Sequence, residues 1–422
     1  MQTAPGKRRL FRVLGPGLIT GASDDDPSGI ATYSQAGAQL GYAITWTMLF
    51  SYPLMAVIQE ISARIGRTTG KGIAGNIRQH YSSGLLQAIV VLLFVANILN
   101  IGADLGAMGD ALTLLIGGPR LPYVVAFGVL CGLLQIFMQY SRYVAVLKWL
   151  TLALFAYFGT AMVVKIPWGE AARGFLIPMF SFEPAFWTTV VAIMGTTISP
   201  YLFFWQASQE AEDTKEEPQR KPLLKAPGQG RDAFERIRLD TYVGMAFSNA
   251  VALAIMITAA ATLHAAGITD IESSSQAAEA LRPVAGAFAF TLFALGIVGT
   301  GLLAVPVLAG SAAYALGEAR KWPIGLARKP KHAKAFYLAL AGATLVGILI
   351  NFSPIDPIKA LYWSAVINGI VAVPVMAIMM LMAANAKVMG KFTISPTMQT
   401  IGWVATMVMA LAVIGMAASA WV

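Results

Sequence analysis

The chain has 422 residues, of which 57% are hydrophobic and only 12% charged, and its mean hydropathy is +0.66. That charged fraction is about half of what a soluble domain carries, so the formal charge of +9 does not mark a nucleic-acid-binding domain, and the composition is that of a polytopic membrane protein. The single Cys131, set in an apolar run, excludes an intrachain disulfide and a thiolate metal cluster.

A window of about 19 residues, broken at charge and turn clusters, predicts eleven spans. They fall near residues 14–40, 43–65, 84–110, 121–139, 143–164, 185–210, 240–263, 284–316, 335–352, 358–384 and 399–420. Lys7, Arg8, Arg9 and Arg12 resemble the charged start of a signal peptide, but the apolar stretch behind them outruns a signal's short core and reads as a retained first span. Alternate connections then collect 25 of the 30 Lys and Arg residues, leaving Arg120, Lys165, Arg173, Arg282 and Lys359 on the other side. By the positive-inside bias the N-terminus is expected in the cytoplasm, the C-terminus outside, and the chain in the inner (cell) membrane.

Span one carries Asp24, Asp25, Asp26 and Pro27 where hydrocarbon tolerates charge least. Each ionised Asp at the centre of a span costs about 2.5–3.5 kcal/mol, so the three must line a wet cavity or hold a cation. Span six contains Gly195-Thr196-Thr197-Ile198-Ser199-Pro200-Tyr201, a second run of small polar residues closed by a proline. A proline inside a helix frees a carbonyl four residues back and pushes the residue before it out of helical backbone, so Asp26 and Ser199 are the expected points of unwinding. Spans five apart run in opposite directions. Two broken spans at corresponding places predict an inverted repeat, one half over residues 14–164 and the other over 185–384, with an extra helix at 399–420 and a midplane binding site. The loop at 211–238, rich in Glu, Lys, Pro and Gly, is expected to be a solvated cytoplasmic linker, with Glu210, Glu212 and Asp213 at a solvated helix end.

From about Gly15 to Pro374 the sequence resembles the NRAMP (natural resistance-associated macrophage protein) divalent-metal transporters. The resemblance rests on Gly15-Pro16-Gly17, Asp26-Pro27, Gln35-Ala36-Gly37-Ala38-Gln39 with Gly41-Tyr42, and Gln59, Ser62-Ala63-Arg64, Gly66 and Thr69-Gly70-Lys71. It implies an all-α, LeuT-type 5+5 inverted repeat with helices one and six broken. The family's first break reads Asp-Pro-Gly-Asn, with Asp and Asn both on the metal; here Ser28 and Gly29 take the last two places. Its sixth-span Met-Pro-His supplies a sulfur ligand and a titratable imidazole, where this chain has Ser199, Pro200 and Tyr201. The acidic pair of span three is reduced to Asp104, with Ala107 three residues on, and residues 335–351 of span nine contain no Arg. These departures resemble the NRAMP-related magnesium transporter branch. Losing the thioether leaves oxygen ligands that suit Mg²⁺ and Mn²⁺, and a roomier pocket suits an ion that keeps its waters.

The expected metal residues are therefore Asp26 first, the Thr196 carbonyl in the family's carbonyl-ligand position, Ser199 through its hydroxyl or a retained water, and Gly29 as the enlarged corner. Ser199 has an alternative role, bonding the backbone at the break. Asp25 is a candidate for a more distant contact and Asp24 for a vestibule charge. Tyr201 is expected to pack with its hydroxyl at the vestibule, Asp104 to line an exit path, Gln59 and Glu60 an inward exit or a helix pairing, and Asn368 to reach the site through water. The three histidines fall in loops. No nucleophile and base pair, zinc motif or nucleotide loop points to an enzyme. The expected function is import of Mg²⁺ and of Mn²⁺ by alternating access without proton coupling, the metal being cargo and no cofactor or obligatory protein partner being required beyond the bilayer. The alternatives are a proton-coupled Mn²⁺/Fe²⁺ importer and, from another class, a cation-coupled amine or amino-acid symporter.

Overall fold

The computed structural model describes residues 20–21, 23–137, 154–217 and 219–420. The basic N-terminus, Gly15-Pro16-Gly17, Arg142, Lys148 and the first half of the fifth expected span lie outside the described residues. Among those described there is helix and no strand. The main helices are α1 (Pro27–Leu40), α2 (Trp46–Thr69), α3 (Ile73–His80), α4 (Ser83–Ile116), α5 (Arg120–Phe137) and α6 (Phe155–Val163). They continue with α7 (Pro184–Thr197), α8 (Pro200–Glu216), α9 (Gly230–Thr262), α10 (Ala289–Arg320), α11 (Lys334–Ile350), α12 (Pro357–Ala384) and α13 (Pro396–Ser419). Seven described helices are long and apolar enough to cross a membrane when α7 and α8 are taken as one span; α1 and α2 pass that test together across a 110° turn, and α11 is apolar but shorter.

Backbones at the centre approach closely where side chains are absent. A Cβ on Gly66 of α2 would stand 2.1 Å from the Ala207 carbonyl of α8, and one on Gly195 of α7 would stand 2.0 Å from the Ala365 carbonyl of α12. The outer helices show the opposite pattern. Val91 and Val95 on α4, Val129 and Leu133 on α5, Leu345 and Leu349 on α11, and Met407, Leu411 and Ile414 on α13 are exposed apolar side chains, as a lipid-facing belt requires.

The connections sort to opposite ends as the charge pattern demanded. At one end Glu318 of α10 accepts the amides of Gly72 and Gly75 at 2.6 and 2.9 Å, and the Leu223 and Leu224 amides donate to the Arg67 and Thr68 carbonyls. At the other end Gln35 binds the Thr269 carbonyl and the Ile271 amide, and Gly174 lies against the Tyr42 carbonyl.

The expected solvated linker is exposed over much of its length, but its two ends are helical and its acidic start is paired. α8 runs on to Glu216 and α9 already begins at Gly230, so most of residues 211–238 are helix ends packed on α2. Glu210 is fully buried and pairs with Arg236 at 2.5 Å, and Glu212 accepts the Tyr314 hydroxyl and the Ala327 amide. An acidic run that reads as hydrated in isolation is here consumed by cations and donors from elements that fold back on it.

Candidate cation site

Both expected breaks are present, each built by a proline at the first helical position, where its missing donor costs nothing. Before Pro27, residues 23 and 24 are helical, Asp25 and Asp26 are not, and Asp26 takes extended backbone at φ −67° and ψ 172°. Its Oδ1 accepts the Gly29 amide at 2.7 Å and so caps α1. Before Pro200, Ile198 and Ser199 leave helical geometry, with Ser199 at φ −82° and ψ 130°.

Of the two roles expected of Ser199, the structure shows the backbone one. Its hydroxyl donates to the Gly195 and Thr196 carbonyls at 2.7 and 2.8 Å, groups that the end of α7 leaves without amide partners. The hydroxyl oxygen and the Thr196 carbonyl each keep acceptor capacity.

The second oxygen of Asp26 accepts the Asn100 side-chain amide of α4 at 3.0 Å. The Tyr201 hydroxyl donates to the Ser23 carbonyl at 3.0 Å and stands 3.4 Å from the same Asp26 oxygen. Tyr201 is thus inside the site rather than at a vestibule, being 1% exposed. Asp24 is likewise no vestibule charge in this conformation, since it is completely buried. The Ser248 hydroxyl of α9 faces Asp24 Oδ2 at 2.5 Å and Asp25 Oδ1 at 3.2 Å, which leaves Asp24 Oδ1 and Asp25 Oδ2 without hydrogen-bond partners. Gly29 closes the gap between the breaks: a Cβ there would lie 3.1 Å from the Asp24 carbonyl and 3.3 Å from Thr196 Oγ1. Asp104, one turn beyond Asn100, is buried within electrostatic reach of Asp26, and its carboxylate faces the Ser28 amide without a well-formed hydrogen bond.

Among the described residues no Lys or Arg pairs with any of these four acids, and no three His, Cys, Asp or Glu side chains converge as a ready cage. Four buried carboxyl groups so close together require protons or a cation to neutralise them. Ligation by one or two carboxylates plus carbonyl, hydroxyl and water oxygens is the arrangement these groups can offer.

The remaining candidates lie away from this centre or beside it. Gln59 donates to the Leu202 carbonyl and to Gln206, whose own amide reaches Thr241, so it stitches α2, α8 and α9 together. Glu60 pairs with Arg64 at 2.6 Å. Asn368 is buried on α12 next to Gly369, which abuts Gly195, and its amide oxygen has no hydrogen-bond partner. Two contributors were not foreseen. Asn100 had a signal, an amide four residues before Asp104 on an apolar span and therefore on the same helix face, whereas nothing in the sequence distinguishes Ser248 from other small residues of span seven.

Two helices broken across from one another, with buried acids and freed carbonyls at the breaks, define a helical membrane transporter of LeuT-type architecture. The chain belongs to the family described as natural resistance-associated macrophage protein-like (Nramp), which matches residues 17–419, and it is a transporter rather than an enzyme. Among curated relatives, the divalent metal cation transporter MntH of Klebsiella pneumoniae subsp. pneumoniae is 26% identical over 93% of this chain and 90% of its own length. MntH of Yersinia enterocolitica is 29% identical over 82% of each chain. Among solved structures, the manganese transporter of Eremococcus coleocola superposes with a TM-score of 0.77 at 17% identity, covering 99% of this chain and 89% of that one. Mhp1, a nucleobase-cation-symport-1 family transporter in a closed conformation, gives a TM-score of 0.55 at 14% identity over 96% and 93% of the two chains. At these identities the two structures speak for the fold alone.

Proposed function

We propose that this protein carries Mg²⁺, and Mn²⁺ with it, into the cell by alternating access and without proton coupling. One observation carries the reading: every group gathered around Asp26 offers oxygen or an amide, and the position that the family resemblance assigns to a sulfur ligand is Ser199, whose hydroxyl is turned to the broken backbone. A site without a thioether loses its preference for softer ions, and Mg²⁺, which dehydrates reluctantly, is best held by one or two carboxylates with its waters retained. The lysine-rich end of the bundle is read as cytoplasmic. A divalent cation entering across 100 mV gains about 4.6 kcal/mol, twice the single-charge figure, so a proton gradient is not needed to drive uptake.

Asp104 beside Asp26 favours a second reading, in which these two acids carry a proton during Mn²⁺ entry. Flux into proteoliposomes separates the two: uncoupled transport predicts that Mg²⁺ competes with Mn²⁺ and that the lumen does not acidify in step with the metal. Acidification in proportion to metal entry overturns the first reading. Calorimetric titration of Mg²⁺ and Mn²⁺ against the wild type and Asp26→Ala tests the site itself, and undiminished binding in the variant removes Asp26 from it.

A further inference from the structure

At the lysine-rich end, away from the breaks at Asp26 and Ser199, a cavity of about 500 Å³ opens between the α2–α3 turn, the end of α8 with the segment after it, and the short helix Ala386–Met389. We propose that this cavity binds a polyanion bearing clustered phosphates. Its walls carry Lys71, Lys215, Lys225, Lys387 and His80, and among the described residues no Asp or Glu lines it. None of the four lysines forms an ion pair with a carboxylate among the described residues, although Glu318 is near enough to Lys215 to ease its charge. Partial burial and, to a lesser degree, the neighbouring Lys71 hold the His80 imidazole below its ordinary range.

The cavity is constructed rather than accidental. Gly70 ends α2 in left-handed backbone at φ +68°, and the Pro222 ring lies where a side chain at that position would go. The Leu223 and Leu224 amides donate to the Arg67 and Thr68 carbonyls and hold the segment that presents Lys225. Lys71 is itself held by the Gln79 side chain. Four ammonium groups around one concavity repel one another and raise the local concentration of anions. Lysine is a point-charge phosphate binder, and the volume matches that of small-molecule sites generally. A single phosphate, at about −1.5 to −2, would leave about half of this charge uncompensated, whereas two or three linked phosphates, as in a polyphosphate chain or a multiply charged lipid headgroup, would meet it. Because the walls come from three separate connections, an anion seated there ties them together.

The test uses the full-length protein in phosphatidylcholine nanodiscs, with chelator present so that metals play no part, titrated calorimetrically with inorganic triphosphate. Saturable binding is expected in the wild type, about tenfold weaker in Lys215→Gln/Lys225→Gln/Lys387→Gln and measurably weaker in Lys387→Gln alone, which changes one exposed side chain. Mn²⁺ affinity should be the same in all three proteins. A parallel arm reads anionic phospholipid retained on the protein by native mass spectrometry: lipid adducts lost in the triple variant identify a headgroup as occupant, and triphosphate binding without such adducts identifies a soluble one. Absence of both in the wild type, or equal binding in wild type and variants, overturns the proposal.

Discussion

Asn100→Ala probes the geometry of the site without touching an acid. The Asn100 amide donates to Asp26 Oδ2 at 3.0 Å while the Gly29 amide holds Oδ1 at 2.7 Å, so the carboxylate is fixed from both sides and keeps lone pairs on each oxygen for a metal. The amide oxygen of Asn100 has no hydrogen-bond partner, although the residue is completely buried. Truncation therefore removes an orienting donor and an available oxygen together, and both losses weaken metal binding. A donor that orients a metal-binding carboxylate is worth about 10–100-fold in affinity, or roughly 1.4–2.7 kcal/mol, which is also the range for a hydrogen bond to a charged group. Calorimetric Kd values for Mn²⁺ and Mg²⁺ should rise by that factor. Tyr201→Phe should cost less than about tenfold, because the tyrosine's principal acceptor is the Ser23 carbonyl and its approach to Asp26 is longer, at 3.4 Å. Kd values within about threefold of wild type in Asn100→Ala, or a larger loss in Tyr201→Phe, would refute this account of how Asp26 is held.

Other substitutions read different parts of the structure. Arg236→Leu strands the fully buried Glu210 and should destabilise the protein by about 3–5 kcal/mol, lowering its detergent melting temperature, whereas Arg236→Leu with Glu210→Gln should recover most of the loss; equal melting of the single variant and the wild type would show that the pair is not structural. Gly195→Ala forces a methyl to within 2.0 Å of the Ala365 carbonyl and 2.5 Å of the Gly369 amide, both backbone, so folded yield by size-exclusion chromatography should collapse. Ser199→Met adds a thioether at the second break and should shift the competition between Mn²⁺ and Mg²⁺ toward Mn²⁺ by about tenfold or more; an unchanged ratio would mean that ligand softness does not set selectivity here.

What could be read from the sequence follows the range of the interaction involved. The two breaks were legible because Pro27 and Pro200 act on the residue beside them, and the alternation of connections was legible because it needs only the positions of Lys and Arg. Interactions between distant segments were not. Ser248 lies 224 residues from Asp24, and Arg236 reaches back 26 residues to bury Glu210, so the acidic end of span six looked hydrated when it is the paired floor of the bundle. Ser199 shows the intermediate case: both of its roles were foreseeable from a hydroxyl at a break, and only the fold decides which carbonyls lie within its reach.

The distribution of donors within the site bears on which ion it suits. Asp26 is served by an amide on each oxygen, while Asp24 Oδ1, Asp25 Oδ2, Asn100 Oδ1 and Asn368 Oδ1 are buried acceptors without hydrogen-bond partners. A bare ion can contact only the few oxygens that close on it, and the Cβ distances at Gly29 show that the two breaks already stand side by side without side-chain bulk between them. An ion that keeps several of its waters brings donors with it, and those donors can meet acceptors that lie too far from the metal to coordinate it. The same groups that would be costly around a dehydrated transition metal would suit a partly hydrated one. On the proposed Mg²⁺ reading, Gly29, in the place where the family resemblance implies an asparagine ligand, and Ser199, turned to the backbone, are two aspects of one arrangement, in which the protein would contribute fewer direct ligands and leave the remaining coordination to water.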